Sequence, residues 1–192
     1  MADKFDLFVF RGFDPKTKHD PSFREQLIRR AAVVCGAEPE FAKTAPIRRT
    51  EKGKPYFEGS DIHFNISHSN DIWACLMGRA GCGLDIQYIR PCDYKKIAGR
   101  FFSCGEQLYI EKNGIEGFFD IWTRREAYGK YTGEGFFGTC PRLADAGGDL
   151  MDRIAAKEGR EAVFTQLPHV ASGVKCVVCS EHAAIVRIRE EW

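Results

Sequence analysis

Two short patterns constrain this chain most: Gly83-Leu84-Asp85-Ile86-Gln87, and Trp122-Thr123-Arg124-Arg125-Glu126-Ala127-Tyr128-Gly129-Lys130. The first has the period of a strand. Leu84 and Ile86 turn to a core while Asp85 and Gln87 share the opposite face. The second has the period of a helix, with Glu126 and Lys130 one turn apart on one side. Alone, that helical pair is an ordinary surface ion pair worth about 0.2–0.5 kcal/mol. A strand packed on that helix, however, would gather two carboxylates, an amide oxygen and an ammonium. Magnesium takes one or two carboxylates, several waters and substrate phosphate oxygens. Phosphoryl chemistry is therefore the leading expectation, with Asp85, Gln87 and Glu126 as candidate metal ligands.

The 192 residues are enough for one domain or two small lobes with a sizeable core. Net charge is only +1, so no global field recruits nucleic acid and any anion site must be built locally. No apolar run approaches the roughly 18 residues needed to span a bilayer, which argues against a membrane protein. The start, Met1-Ala2-Asp3-Lys4-Phe5-Asp6, lacks a signal-peptide pattern, so a cytoplasmic location is expected. Eight scattered cysteines are then expected to stay reduced. Only Cys176-Val177-Val178-Cys179 has metal-like spacing, and on a strand residues three apart face opposite sides.

Along the chain, Phe5 to Phe10 reads as a strand. A helix is expected from an N-cap at Ser22 to about Cys35, with Phe23, Leu27, Ile28 and Ala31 as its apolar stripe. Residues Ile47 to Tyr56, broken by Gly53-Lys54-Pro55, form a turn or extended segment. Strands over Asp61 to His68 and Ile72 to Gly78 make a hairpin through Ser69-Asn70-Asp71. Helices follow at Tyr94 to Phe101, from a Ser103–Glu106 capping box, and from about Glu116 to Tyr131. Strands near Ala162 to Gln166, Gly173 to Cys179 and Ala184 to Arg189 close an α+β architecture of helices on antiparallel strands.

A third cluster, Phe64-Asn65-Ile66-Ser67-His68-Ser69, sets hydroxyls and an imidazole at a strand end, a compact donor set for an anion. By itself it also reads as a capped turn with a surface histidine. Taken with Gly53-Lys54-Pro55, Arg100-Phe101-Phe102-Ser103-Cys104-Gly105-Glu106 and Gly133-Glu134-Gly135, six motifs stand in one order across residues 53 to 136. In that order the chain resembles the 4′-phosphopantetheinyl transferases, specifically the longer, pseudo-dimeric surfactin-synthetase-activating type. That type reads Phe-Asn-x-Ser-His-Ser, Gly-x-Asp-x-Glu and Trp-x-x-Lys-Glu-x-x-x-Lys. Gln87 stands where it usually has a second acid.

The resemblance implies a monomer of two similar lobes, 1–82 and 83–192, related by a pseudo-twofold with the active site between them. It implies Mg²⁺-dependent transfer of the 4′-phosphopantetheine arm of coenzyme A to a serine of an apo acyl or peptidyl carrier protein. Asp85, Gln87 and Glu126 would hold the metal, and Glu126, or a water held by the metal, would take the serine proton. Lys130 would stabilise the leaving phosphate, Ser67 and His68 would bind coenzyme A phosphates, and Lys54 the nucleotide end. Basic candidates for the 3′-phosphate, by charge alone, are Lys16, Lys18, His19, Arg48 and Arg49. Arg100 to Glu106 would help receive the carrier, with Phe101 and Phe102 as contacts or core. Two other readings stay open: a coenzyme A or carrier binder without turnover, motivated by Gln87, and a different Mg²⁺-dependent phosphotransferase or pyrophosphatase.

Overall fold

A computed structural model describes residues 2–14, 20–138, 140–156 and 159–190. Strand alternation sorts its side chains into three cores. On β1 (Asp3–Phe10), Phe5, Leu7 and Val9 face one way and Phe8 the other. On β5 (Ile72–Gly78), Ile72, Ala74 and Leu76 join the first set, while Trp73, Cys75 and Met77 join the second. The second set packs under α1 (Pro21–Val34) and α2 (Pro39–Thr44). The first set meets Leu84 and Ile86 of β6 (Cys82–Tyr88), with Val174, Cys176 and Val178 of β9 (Val174–Ser180). Two sheets therefore share a central apolar layer.

The first sheet has the order β10-β1-β5-β4, where β4 is His63–Ser69 and β10 is Ala184–Arg189. The second has the order β6-β9-β8-β7, with β7 at Arg153–Ala155 and β8 at Glu161–Gln166. In each, a leading strand (β1, β6) precedes helices and then pairs antiparallel with the last strand of a following hairpin (β5, β9). The repeated strand–helix–hairpin order has no counterpart as a sequence repeat. The final strand, β10, crosses back to pair in parallel with β1, so sheet membership does not follow a single cut at residue 82. A small hairpin, β2 (Ile47–Arg49) with β3 (Pro55–Phe57), occupies the segment expected to be a turn or extended.

The helices α3 (Tyr94–Phe101) and α4 (Cys104–Thr132) lie against the outer face of the second sheet. Ser103 and Glu106 form the capping box expected of them. The two helices expected after Ser103 run on as one element broken at Gly114, whose φ of 63° and ψ of −142° leave the helical region. The start of α1 differs from expectation: Asp20, not Ser22, is the N-cap, accepting from the Ser22 and Phe23 amides at 2.9 and 3.4 Å with Pro21 in the first turn. Cys176 lies in the central layer and Cys179 on the α4 side, so the two sulfurs face opposite ways as strand geometry requires. Burial pushes both thiols well above their ordinary pKa. Among the described residues no helix is long and apolar enough to cross a membrane.

Candidate active site

Close approach of β6 to α4 creates the site. Gly83 permits it, because a Cβ there would overlap the Ala127 carbonyl oxygen. Two residues on, Asp85 faces the helix and its Oδ1 lies 2.8 Å from Lys130 Nζ. The same ammonium donates to Ser67 Oγ and to the Leu84 carbonyl, each at 3.0 Å. Ser67 in turn donates to Asp85 Oδ1 at 2.8 Å and accepts from the Ile86 amide at 3.2 Å. Asp85 Oδ2 is buried with no hydrogen-bonding partner.

A buried, unpartnered carboxylate oxygen is costly unless something not yet bound satisfies it. One turn before Lys130, the Glu126 side chain is half-buried and its carboxylate forms no hydrogen bond among the described residues. Burial raises its pKa, the Asp85 charge adds to the rise, and Lys130 opposes it. Asp85, Gln87, Glu126 and Lys130 line one cavity of about 370 Å³ together with Ser67, His68, Ile66, Trp73, Trp122 and Arg24. The strand and helix patterns thus meet as expected. No cluster of three His, Cys, Asp or Glu side chains occurs among the described residues. The donor set is two carboxylates and the Gln87 amide, which with the orphaned Asp85 oxygen fits a magnesium ion that keeps waters and phosphate oxygens as further ligands.

His68 is exposed at the cavity with its ring 6.3 Å from that of Phe13. Arg24 escaped the sequence reading, which followed only the apolar stripe of α1. Only with Asp20 as the N-cap does the first turn hold no acid, so that Arg24 there works against the helix dipole. Three basic residues expected to bind coenzyme A lie outside this cavity. Lys54 donates to the Cys82 and Tyr131 carbonyls at 2.9 and 3.1 Å, and burial lowers its pKa. It borders a separate cavity of about 700 Å³ with Tyr56, Phe64 and Tyr131. Arg48 is exposed and paired with Glu58 at 3.2 Å, and Arg49 donates to the Gly53 carbonyl at 2.8 Å. Lys16, Lys18 and His19 lie outside the described residues.

Beside the cavity runs an aromatic string. Trp122 meets Phe136 at 4.4 Å between centroids, Phe136 meets Phe137 at 5.2 Å, and Phe137 meets Phe101 at 6.0 Å. Phe137 is 85% exposed and Phe101 41%, whereas Phe102 is core.

Residues 81–169 match the family model of the 4′-phosphopantetheinyl transferase superfamily. The 4′-phosphopantetheinyl transferase gsp of Aneurinibacillus migulanus is 30% identical over 145 residues, covering 73% of this chain and 60% of that protein. The 4′-phosphopantetheinyl transferase AcpT of Salmonella typhi is 36% identical over 118 residues, covering 56% and 62%. A 4′-phosphopantetheinyl transferase of Bacillus subtilis is 29% identical over 182 residues, covering 90% and 78%. The chain thus spans about three fifths of the length of the first two relatives. Residues 81–169 thus match the 4′-phosphopantetheinyl transferase superfamily, and relatives of that name carry the likeness over as much as 90% of the chain.

Proposed function

We propose that the chain transfers the 4′-phosphopantetheine arm of coenzyme A to a serine of an apo acyl or peptidyl carrier protein, releasing adenosine 3′,5′-bisphosphate. The observation that carries this reading is the unpartnered, buried Asp85 Oδ2 in a site shared with Glu126 and Lys130. Asp85, Glu126 and the Gln87 amide would hold Mg²⁺. When bound, the ion would screen and orient the pyrophosphate. Attack on a phosphorus already so charged depends on positioning and charge neutralisation more than on covalent help.

Glu126 would accept the proton of the carrier serine at a carboxylate oxygen. In the metal-free site burial and the Asp85 charge raise its pKa, and a bound cation would draw it back down. Lys130 would exchange one of its three protein acceptors for a phosphate oxygen of the leaving group. His68 and Arg24 would hold coenzyme A phosphates at the cavity mouth, with Ser67 behind them. Lys54 would face the nucleotide end through its larger cavity. The carrier would approach over Phe101 and Phe137, because exposed aromatic pairs beside a polar cavity favour a protein partner.

Incubating the chain with coenzyme A, Mg²⁺ and a panel of apo carrier proteins, followed by mass spectrometry, tests this. Transfer adds one phosphopantetheine to the carrier. Gln87 motivates the second reading, a binder without turnover, under which no carrier gains mass although coenzyme A binds. Cleavage of coenzyme A without a carrier would point to a hydrolase instead.

A further inference from the structure

β6 pairs with β9 on one side only, so its other edge would ordinarily present unpaired amides and carbonyls. Side chains meet those groups one by one. The Leu84 amide donates to Asn65 Oδ1 at 3.0 Å, the Ile86 amide to Ser67 Oγ at 3.2 Å, and the Tyr88 amide to Ser69 Oγ at 3.0 Å. Asn65, Ser67 and Ser69 are alternate residues of β4, hence one face of it. Each pair is separated by 19 residues, a constant offset that means β4 and β6 run in the same direction. The outward carbonyls of Cys82 and Leu84 accept from Lys54 and Lys130.

We propose that Asn65, Ser67 and Ser69 form a side-chain ladder that replaces main-chain pairing between the two sheets and thereby positions Asp85. A main-chain ladder would draw the strands to about 4.8 Å and leave no room for an ammonium between them. The side-chain ladder holds the strands apart by the length of a side chain, so Lys130 reaches both Ser67 Oγ and Leu84 O from within the seam. It also fixes the amides on either side of Asp85, and Ser67 ties up Oδ1, leaving Oδ2 as the open ligand. Asn65 and Ser69 do not line the cavity, so they are positioning residues. The polar residues of Asn65-Ile66-Ser67-His68-Ser69 then divide by strand parity, with the ladder on one face and His68 on the other.

This inference rests on Asp85 being the metal-binding carboxylate, so its test reads the seam and the metal separately. Amide hydrogen exchange by NMR is measured in the intact chain, and Mn²⁺ uptake by water-proton relaxation. In the parent protein the Leu84, Ile86 and Tyr88 amides are protected. Ser69→Ala speeds exchange at Tyr88, and Asn65→Ala at Leu84, each by about tenfold, as expected for loss of one hydrogen bond. Both weaken Mn²⁺ binding by roughly tenfold, the effect of removing a group that orients a metal ligand. Ser69→Thr, which keeps the hydroxyl, restores both readouts, and a purely space-filling role would not predict that. Unchanged exchange in either alanine variant, or unchanged Mn²⁺ affinity in both, overturns the proposal. A parent protein that takes up no Mn²⁺ sinks the metal reading of Asp85. The three amides still decide the ladder, and rapid exchange in the parent refutes it.

Discussion

Lys130 Nζ and Asp85 Oδ1 stand 2.8 Å apart with the partner oxygen of the same carboxylate buried and unbonded. The ammonium holds one lone-pair face of the carboxylate and leaves the other, the metal face in the function proposed above, without a partner among the described residues. Lys130→Met removes the positive charge paired with the buried Asp85 carboxylate and is expected to destabilise the fold by about 1–3 kcal/mol. Added Mg²⁺ should raise the melting temperature of this variant more than that of the parent, because the ion replaces the missing charge. Thermal melts with and without Mg²⁺ check this, and equal shifts would remove the argument.

Glu126 is held at a raised pKa chiefly by burial. A carboxyl whose folded pKa exceeds its unfolded value favours the folded state below the unfolded pKa, and that advantage is lost as pH rises through the folded pKa. At neutral pH the ionised side chain therefore costs stability. Glu126→Gln should abolish transfer yet raise stability at pH 7 by about 0.5–2 kcal/mol. The gain should vanish near pH 4, where the parent side chain is itself neutral. A variant less stable than the parent at pH 7 would contradict this account.

Gln87 brings an oxygen but no charge to the cavity. Gln87→Glu should lower the Mg²⁺ concentration for half-maximal activity by several-fold, following the added Coulomb attraction. A magnesium titration of both proteins measures it. An unchanged requirement would mean that position 87 does not contact the ion or its waters.

Phe137 and Phe101 carry the exposed end of the aromatic string. Phe137→Ser should raise KM for the carrier roughly tenfold, the scale of one interface anchor, while leaving KM for coenzyme A unchanged. Steady-state kinetics with each substrate varied in turn distinguishes the two. A shift in the coenzyme A constant instead would assign the phenylalanine to the cavity.

Glu106, fully buried, accepts from the Ser103 amide at 2.7 Å and the Leu143 amide at 3.2 Å, and meets Arg125 Nη2 at 3.2 and 3.4 Å. The capping box thus also anchors the residue before Glu126. Glu106→Gln leaves the partly buried Arg125 without its counter-charge deep in the fold and should cost about 3–5 kcal/mol. That corresponds to a fall in melting temperature on the order of 10 °C.

The sequence by itself determined what local periodicity and chemistry can dictate. Alternation put Asp85 and Gln87 on one face of a strand, and the helical turn put Glu126 beside Lys130. The Ser103–Glu106 capping box is likewise local, and six ordered motifs named a family. Apart from the order of the motifs, these features depend on residues within a few positions of one another. Only the tertiary structure decided which groups reach the site. Arg24 enters it from a helix some sixty residues upstream of Asp85, while Lys54 and Arg48, alike as basic residues in the sequence, turn to carbonyls and to Glu58. The return of β10 to β1, and the β4 side chains that satisfy the edge of β6, are long-range pairings. Such pairings leave no period in the chain, because a hydroxyl in Asn65-Ile66-Ser67-His68-Ser69 looks the same whether it waits for phosphate or already holds an amide.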